Sequence, residues 1–275
     1  MEQFMLNQRW FGRRDSYRLP SEVISTRAYE VAPVPDDRTA KAFVCEHHYS
    51  ATYPAARYRF GLYRGDALVG IAVFSHPCND RVLTSVFPAS PAESTELGRF
   101  VLLDSVPGNG ETWFLGRCFE LLKRVGIVGV VSYSDPEPRI TTEGRVIFGG
   151  HVGTIYQAHN AAYLGRSTLR YLRLLPDGTV LSARAIQKVR GKEQGWRYAA
   201  ERLVAFGAEE PGSNLREWLS VWIPRLTRLW KHPGNHKYAW GLDRTMRQSL
   251  PASLPYPKQT TPLSALGPAL HGVAW

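Results

Sequence analysis

Residues 94–136 read STELGRFVLLDSVPGNGETWFLGRCFELLKRVGIVGVVSYSDP, and this stretch decides the fold. Its first part, 94–106, has the apolar run of a buried strand, and PGNG (107–110) then breaks regular structure. Apolar side chains follow at helical spacing, namely Phe114, Cys118, Leu121, Leu122 and Val125. The continuous apolar run at 127–136 ends in Asp-Pro and predicts a second buried strand. The stretch therefore predicts a strand, a glycine loop, a helix and a strand, which is an α/β unit.

The segments before this unit predict further strands of the same sheet. Residues 58–77, YRFGLYRGDALVGIAVFSHP, predict a hairpin turning at RGD. Residues 39–49 predict a short helix, RVLTSVFP (81–88) predicts a strand, and 1–39 have the composition of an irregular arm.

The segments after the unit predict a second region. Residues 167–186 predict a hairpin turning at PDG, helical patterns follow at 193–207 and 213–231, and HKYAWGL (236–242) predicts a closing strand. The predicted parts are an N-terminal arm (1–39), a core (40–175), a basic part packed on or completing the core (176–248) and a flexible Pro-rich tail (249–275).

Composition and charge limit the class of protein. With 275 residues, 44% of them hydrophobic, the chain is long enough for a substantial core. Three scattered cysteines and no secretory or membrane-spanning apolar run favour a cytoplasmic protein without disulfides. The net charge is +10, and residues 182–248 carry 13 Lys/Arg against 6 Asp/Glu. This excess favours a polyanionic partner, with nucleic acid as the first hypothesis.

Two segments near the two predicted strands are candidate ligand sites. In the loop, Gly108, Asn109 and Gly110 suit close approach of backbone N–H groups to an anion, but they also suit an ordinary turn. Ser132, Ser134 and Asp135 end the second strand, where open α/β sheets place ligands. A simple turn before proline is the alternative for these three.

Residues 151–165, HVGTIYQAHNAAYLG, concentrate polar and aromatic side chains between glycines. A helix over 154–163 would place Tyr156, Asn160 and Tyr163 on one face, toward a cleft, and alanines on the other. Upstream, CEHHYS (45–50) offers His48 and Tyr49 for proton relay or base stacking. No HExxH or CxxC pattern accompanies them, so the sequence leaves any metal unassigned.

In their order and spacing, these segments resemble the Mom family of bacteriophage-encoded adenine-modifying proteins. The resemblance covers roughly 42–175 and continues more weakly into 233–240. The strings that carry it are HHYS, LVGIAVFSHP, ELGRFVLLD, GNGETWFL, VVSYSDP, HVGTIYQAHNAAYLG and PGNHKYAW.

The resemblance implies a diverged branch of the GNAT acyltransferase fold. The fold class is then α/β (α+β), a GNAT-like mixed, splayed β-sheet flanked by helices, with a basic C-terminal extension. Strands 95–104 and 127–133 would separate around a small-molecule donor, and Gly108, Asn109, Gly110 and Thr112 would offer N–H groups to it. Tyr156 stands where GNAT enzymes often carry a general acid.

The family's reaction attaches a carbamoylmethyl group to N6 of adenine in DNA, which protects phage DNA from restriction. For this chain it implies a flipped adenine stacked on Tyr49, Tyr156 or Tyr163, with Asp135 or His48 acting on N6. Arg99 and Asp104 would orient substrate and donor, or form a structural ion pair. The remaining binding residues would be Ser132, Ser134, Asn160 and Tyr163 near the donor and Arg184, Lys188, Arg190, Lys192 and Arg197 on DNA phosphates.

Several alternatives stay open. The basic residues of 184–197 also suit a solvated helix face. The donor, acetyl-CoA or another acyl or aminoacyl compound, and a redox metal such as iron are not identified by the sequence, nor is the oligomeric state. The expected partner is double-stranded DNA in the cytoplasm of a bacterial host. The rival functions are a GNAT-fold transferase acting on another DNA base, RNA or a protein amine, and a non-catalytic DNA-binding protein.

Overall fold

The computed structural model describes residues 7–19, 21–88 and 91–258. The strands in these ranges are β1 (Asn7–Phe11), β2 (Arg14–Arg18), β3 (Glu30–Pro33), β4 (Ala56–Arg64), β5 (Ala67–Ser75), β6 (Ser94–Leu102), β7 (Gly129–Ser134), β8 (Arg139–Ile140), β9 (Val146–Phe148), β10 (Ala162–Arg166), β11 (Arg170–Leu174), β12 (Val180–Leu181), β13 (Arg228–His232) and β14 (His236–Gly241). The α-helices are α1 (Asp37–His47), α2 (Arg81–Thr84), α3 (Gly110–Arg124), α4 (Thr154–Ala158), α5 (Ala183–Gly191), α6 (Trp196–Val204), α7 (Leu215–Leu226) and α8 (Arg244–Ser249).

A mixed sheet of seven strands, counted over these described ranges, organises the larger part of the fold. Its order is β10-β14-β7-β6-β5-β4-β3. The pair β6–β7 is parallel and the other neighbours are antiparallel. The β6–β7 register runs only from Ser94↔Gly129 to Leu97↔Ser132, although β6 continues to Leu102. The two strands therefore splay after four pairs, which confirms the predicted mixed, splayed sheet flanked by helices.

Helix α3 makes the crossover between the two parallel strands. Its apolar face, including Phe114, Cys118 and Leu122, is fully buried against the sheet. Each such side chain contributes on the order of 1.5–3 kcal/mol by leaving water. The predicted strand, glycine loop, helix and strand are thus confirmed in order.

Helix α1 covers the opposite face of the sheet. It begins after Asp36, whose carboxylate accepts a hydrogen bond from the Thr39 N–H at 2.7 Å. Its buried Val44 packs with Val73 of β5. The predicted helix at 39–49 and the hairpin at 58–77 are both confirmed, as α1 and as β4 and β5.

Two local predictions were wrong. RVLTSVFP forms the short helix α2 instead of a strand, because Leu83, Val86 and Phe87 lie at helical spacing and are buried together. The helix predicted over 154–163 stops at Ala158, and a left-handed turn at Asn160 (φ 56°) leads into β10.

The chain leaves the main sheet twice to build a second compact unit, Glu137–Gly150 with Ser167–Gly234. This unit contains the hairpin β8–β9, the sheet β12-β11-β13 and helices α5, α6 and α7. The three helices share their own apolar core, which includes Leu203, Leu219 and Ile223. The predicted helix at 193–207 is confirmed as α6. The helix predicted at 213–231 is confirmed only as far as Leu226, where α7 ends, and residues 228–231 belong to the strand β13. Helix α5 was not predicted.

The boundaries of the two compact units do not coincide with those of the four parts predicted from the sequence. The four-part division stays a prediction. The closing strand predicted at 236–242 is β14, which lies inside the main sheet between β10 and β7. Part of the predicted tail runs along β10, since the Leu254 N–H donates to the Tyr163 carbonyl at 2.9 Å. Residues 259–275 and 1–6 lie outside the described residues. Within the described ranges, the helices are all too short or too polar to cross a membrane.

Candidate active site

The point where β6 and β7 separate is held by Ser132. Its hydroxyl donates to the Leu97 carbonyl across the last strand pair at 3.0 Å, and Ser132 is fully buried. Ser132 pairs with Tyr238 of β14, so both side chains lie on the sheet face that carries α3 and α4. The other candidate residues are described by their position relative to this hydroxyl.

Tyr156 of α4 reaches the separation point from that face. It is 6% exposed, forms a side-chain hydrogen bond with Ser132, and packs 5.4 Å from the ring of Tyr238. Burial raises the pKa of Tyr156, while Ser132 and the Arg99 charge act in the opposite direction. Gly153 precedes the helix at φ 75°, and a Cβ there would lie 2.8 Å from the Tyr156 ring. Glycine is therefore required for Tyr156 to pack here.

Arg99 approaches the separation point from the opposite face. It pairs with Val73, whose side chain lies on the α1 face. Its guanidinium donates to the Thr52 carbonyl at 2.8 Å and to the Thr52 hydroxyl at 2.6 Å. Burial lowers the pKa of Arg99, and the nearby Tyr49 and Tyr156 phenols act in the opposite direction. The splayed strands thus let groups from both sheet faces act on one another.

Glu96 joins this group and was missed by the sequence reasoning. Burial raises the pKa of the Glu96 carboxyl, and Arg99 partly offsets the effect. Glu96 lies three residues before Arg99 on β6, inside the predicted strand. A charged residue in an otherwise apolar buried strand was the available signal.

An aromatic cluster lies next to the site and includes the predicted residues His48 and Tyr49. Trp10 of β1 lies 4.4 Å from Tyr49 and 6.2 Å from His48, measured between ring centroids. His151 completes the cluster at 5.7 Å from Trp10 and 6.0 Å from Tyr49. Trp10 and His48 are buried, whereas Tyr49 and His151 are partly exposed. Trp10 and His151 were not predicted as site residues.

The hydrogen bonds of His48 fix its neutral tautomer. The Ser50 N–H donates to His48 Nδ1 at 3.1 Å, and the Ser50 hydroxyl lies 2.8 Å from the same nitrogen. Since Nδ1 accepts from a backbone N–H, the proton of neutral His48 is on Nε2. His48 is therefore arranged as a hydrogen-bond donor toward its other side.

Asp135 follows the last residue of β7 and is 7% exposed. Its carbonyl accepts the His151 N–H at 2.8 Å, so the chain returns beside β7 after the excursion of 137–150. Ser134, just before it, is fully buried, and within the described residues its hydroxyl has no hydrogen-bond partner. A buried hydroxyl without a hydrogen-bond partner is uncommon, and it makes the end of β7 a polar position.

The arm residue Arg9 anchors β1 against the loop that precedes α3. Its guanidinium forms an ion pair with Glu111 at 2.6 Å. It also donates to the carbonyls of Leu103 (2.9 Å), Val106 (2.5 Å) and Pro107 (2.8 Å). Arg9 is 3% exposed. Because successive strand residues point to opposite sides, this anchor fixes Trp10 in the aromatic cluster.

The predicted donor loop is engaged by the arm. The Gly108 N–H donates to the Glu22 carboxylate at 2.8 Å, and the Asn109 side chain accepts the Ile24 N–H at 2.8 Å. A Cβ at Gly108 would collide with the Leu19 carbonyl. The glycine is thus required for contact with the arm, and the loop in this form does not fit a pyrophosphate.

The other predicted residues of this region have structural partners. The Gly110 N–H donates to the Pro107 carbonyl at 2.9 Å, and the Thr112 hydroxyl donates to the Asn109 carbonyl at 3.3 Å. Asp104 accepts the Ser16 hydroxyl of β2 at 2.9 Å, so it binds the arm and not Arg99.

Asn160 and Tyr163 do not lie on one helix face with Tyr156, although the rings of Tyr156 and Tyr163 both pack on Tyr238, at 5.4 and 5.3 Å. Asn160 lies in the exposed left-handed turn after α4, and Tyr163 lies on β10. The Tyr163 hydroxyl is 2.7 Å from Nδ1 of His236, which was not predicted as a site residue. His236 lies in PGNHKYAW, one of the strings that carry the resemblance. Its position beside Tyr163 depends on the pairing of β10 with β14, whose paired residues Arg166 and His236 are 70 positions apart in the sequence.

The environment of His236 predicts a pH-dependent stability. Burial and the neighbouring Arg166 charge lower the pKa of His236 from 6.5 to about 4. Between these pH values the unfolded chain binds this proton and the folded chain does not. His236 therefore makes the free energy of unfolding fall as the pH drops from 6.5 to 4, by roughly 2–3 kcal/mol.

Urea unfolding of the wild type and His236→Gln at several pH values measures this effect. The glutamine keeps a hydrogen-bonding group near Tyr163 but does not titrate. The wild type should lose more stability than the variant over this pH range, and parallel curves for the two proteins would contradict the assignment.

The predicted phosphate-binding residues lie in the second unit. Arg184 of α5 forms an exposed ion pair with Glu193, including an N–O distance of 2.5 Å. Arg197 lies 5.0 Å over the ring of Trp196. Lys188 and Arg190 lie in the last turn of α5, and Lys192 is its left-handed C-cap. Among the described residues, His, Cys, Asp and Glu form no group of three or more that could hold a metal ion.

Comparisons with known proteins identify the family. The sequence model of the Mom protein family matches residues 28–258, well over half of the chain. No individually curated protein matches.

Three solved structures are similar to 78% of this chain. A tandem GNAT protein from the clavulanic acid biosynthesis pathway, without AcCoA, is 10% identical and 99% covered, with a TM-score of 0.42. A Bacillus subtilis acetyltransferase in complex with CoA is 9% identical and 97% covered (TM-score 0.32). A Pyrococcus horikoshii protein described as an acetyltransferase is 9% identical and 90% covered (TM-score 0.34). By the match over residues 28–258, this chain belongs to the Mom protein family.

Proposed function

We propose that the chain is a transferase that attaches a carbamoylmethyl-type group to N6 of adenine in double-stranded DNA. Membership of the Mom family supports this function. The observation that carries it is that the Tyr156 phenol interacts with the Ser132 hydroxyl where β6 and β7 separate, within electrostatic range of the Arg99 guanidinium. A protonated phenol next to a cation is suited to protonating a leaving group and stabilising the charge that develops.

The chemistry requires a base as well as an acid. The N6 lone pair is delocalised into the purine ring, so the amine is a weak nucleophile. As N6 bonds to the carbon of the transferred group, N6 must lose a proton and the donor's leaving group must gain one. We assign the second proton transfer to Tyr156, because burial raises its pKa and keeps it protonated at neutral pH.

We assign the base to Asp135. Of the two candidates, His48 already accepts the Ser50 N–H at Nδ1, so its neutral form has no second nitrogen ready to take a proton. A carboxylate can take up the N6 proton, and Asp135 lies at the end of β7, three residues after Ser132. His48 would then donate a hydrogen bond from Nε2.

A flipped base needs a flat surface to replace the stacking that it loses in the duplex. Extrusion costs a few kcal/mol, and an aromatic contact recovers about 1–3 kcal/mol. Tyr49 is the best placed of the three predicted tyrosines, because it is partly exposed whereas Tyr156 and Tyr163 are buried. We therefore propose Tyr49, backed by Trp10, as the stacking residue.

The proposal leaves the donor as a small molecule of unassigned class. A pyrophosphate-bearing donor such as CoA would have to displace Glu22 from the Gly108 N–H before it could bind this loop. Asn160 and Tyr163 were also predicted to bind the donor or substrate. We propose that they instead help to position the segment that follows α4.

Mass spectrometry of nucleosides from the DNA of bacteria expressing the chain tests the function. The wild type should yield an N6-modified deoxyadenosine. Asp135→Asn should reduce it by at least about a hundredfold, because the amide cannot accept the N6 proton.

A substitution of a surface serine provides the control for this measurement. Ser220→Ala changes a hydroxyl whose hydrogen bond, to the Glu217 carbonyl, lies within its own exposed helix turn, and it should leave the yield unchanged. Unmodified DNA with the wild type, or modification of RNA or protein instead, would refute the proposed function.

A further inference from the structure

Two long segments of the chain carry no acidic residue. Residues 144–176 and 218–242 contain no Asp or Glu, although they contain four Lys/Arg each. The first segment supplies β11 and the second supplies β13, and these two strands pair with each other. The fold thus brings the two acid-free segments together as an antiparallel ribbon.

One face of this ribbon is both cationic and apolar. The register pairs Tyr171 with Lys231 and Arg173 with Leu229. Residues directly opposite each other in an antiparallel pair project to the same face, so these four side chains share one face. Tyr171 is 60% exposed and Leu229 is 59% exposed.

This exposed pair differs from scattered surface apolar residues. Single exposed apolar side chains are normal, whereas two neighbouring ones flanked by cations are typical of a contact surface. On the other face Leu174 and His232 are buried and Leu172 and Trp230 are half-buried, while Arg170 and Arg228 are exposed. The two large apolar side chains that are most exposed, Tyr171 and Leu229, thus both lie on the first face. The charge pattern complements a polyanion, and the apolar pair complements sugars and bases.

We propose that this ribbon face is a contact surface for duplex DNA, with Arg173 and Lys231 on phosphates. Tyr171 and Leu229 would pack on sugars and base edges in a groove. The two strands belong to the three-stranded sheet β12-β11-β13, in which β13 is an edge strand. Cations on such a sheet face can bind phosphates, and apolar side chains between cations are used by DNA-binding proteins to contact or unstack bases. This inference rests on the proposed function for its choice of DNA as the substrate.

The ribbon adds to the surface predicted from the sequence. Among the basic residues predicted at 184–197 to contact phosphates, Arg184 forms an ion pair with Glu193 that offsets its charge. An acidic residue, Glu193, also lies within 184–197, whereas no Asp or Glu lies in either ribbon segment.

Fluorescence anisotropy of the full chain on a labelled adenine-containing duplex, measured over a range of salt concentrations, tests the ribbon. Arg173→Gln with Lys231→Gln should weaken binding by about tenfold or more near physiological salt. It should also make the slope of log K against log salt less steep by about two. Tyr171→Ser with Leu229→Ser should weaken binding by about tenfold and leave this slope unchanged, because no phosphate contact is lost.

Matched surface variants separate this effect from a general change in solubility or charge. Tyr198→Ser replaces a tyrosine that is 62% exposed on α6 of the same unit. Lys123→Gln removes one exposed lysine from α3. Both should bind duplex DNA as the wild type does.

The outcomes distinguish the ribbon from the proposed function. Ribbon variants that bind like the wild type would overturn the ribbon, even if the cells' DNA contains modified adenine. Ribbon-dependent duplex binding without modified adenine would support the ribbon and refute the transferase. A clear preference of the wild type for RNA over the duplex would overturn the ribbon proposal.

Discussion

Tyr156→Phe is expected to abolish adenine modification while leaving the protein folded. The substitution removes one hydroxyl from a side chain that is 6% exposed and keeps the ring in place between Tyr238 and Trp240. If Tyr156 protonates the leaving group, loss of the proton should slow the reaction by about 10²- to 10⁴-fold. Nucleoside mass spectrometry of host DNA measures the yield, and circular dichroism with thermal melting measures folding.

A neighbouring buried tyrosine supplies the control for this experiment. Tyr238→Phe also removes a buried hydroxyl, which donates to the Val152 carbonyl at 2.5 Å. Both variants should lose stability on the order of 1–2 kcal/mol, since each leaves a hydrogen-bonding partner unmatched. Only Tyr156→Phe should lose activity. Equal activity in two folded variants would show that Tyr156 packs in the core without taking part in the reaction.

The central unit of the fold was predictable because its signals are local. The strand at 94–106, the glycine loop, the apolar face of α3 and the strand at 127–136 each have the period of the element they form. Their order alone favours a parallel crossover. The local failures have equally local reasons: the β-branched content of 81–88 favoured a strand, but the apolar spacing of Leu83, Val86 and Phe87 is helical.

The site was only partly predictable, because half of it is assembled by distant contacts. Tyr156, Arg99 and Ser132 came from the strand ends and the helix after them, which sequence order places near one another. Trp10 depends on the Arg9 anchor, whose partners lie about 100 residues away. No periodicity in residues 1–39 indicates that anchor, so the arm was expected to be irregular. In the structure it forms the hairpin β1–β2 and closes over the predicted donor loop.

The arm also lies at the border of what the family shares. The match to the Mom family begins at residue 28, after the hairpin and after Glu22. Trp10 and Arg9 are therefore features of this chain that the family match does not include. Whether Arg9 holds the arm in place can be tested by measuring the free energy of unfolding after Arg9 is replaced.

Arg9→Met is expected to destabilise the protein by about 3–5 kcal/mol, because it leaves the buried Glu111 carboxylate without its cation. Glu111 is 4% exposed, and its second oxygen has no hydrogen-bond partner within the described residues. The carbonyls of Leu103, Val106 and Pro107 would lose a donor as well. Urea unfolding measures the change, and the exposed Arg14→Met on β2 should stay within about 0.5 kcal/mol of the wild type.

A double-mutant cycle separates the ion pair from the carbonyl contacts. Arg9→Met combined with Glu111→Leu removes the isolated charge, so the pair should be less destabilised than the sum of the single variants by about 1–3 kcal/mol. If the arm holds Trp10 against Tyr49, modification of DNA should fall in Arg9→Met even at temperatures where the main sheet remains folded. Wild-type stability in Arg9→Met would mean that this buried contact does not hold the arm, and that Arg9 does not fix Trp10 beside Tyr49.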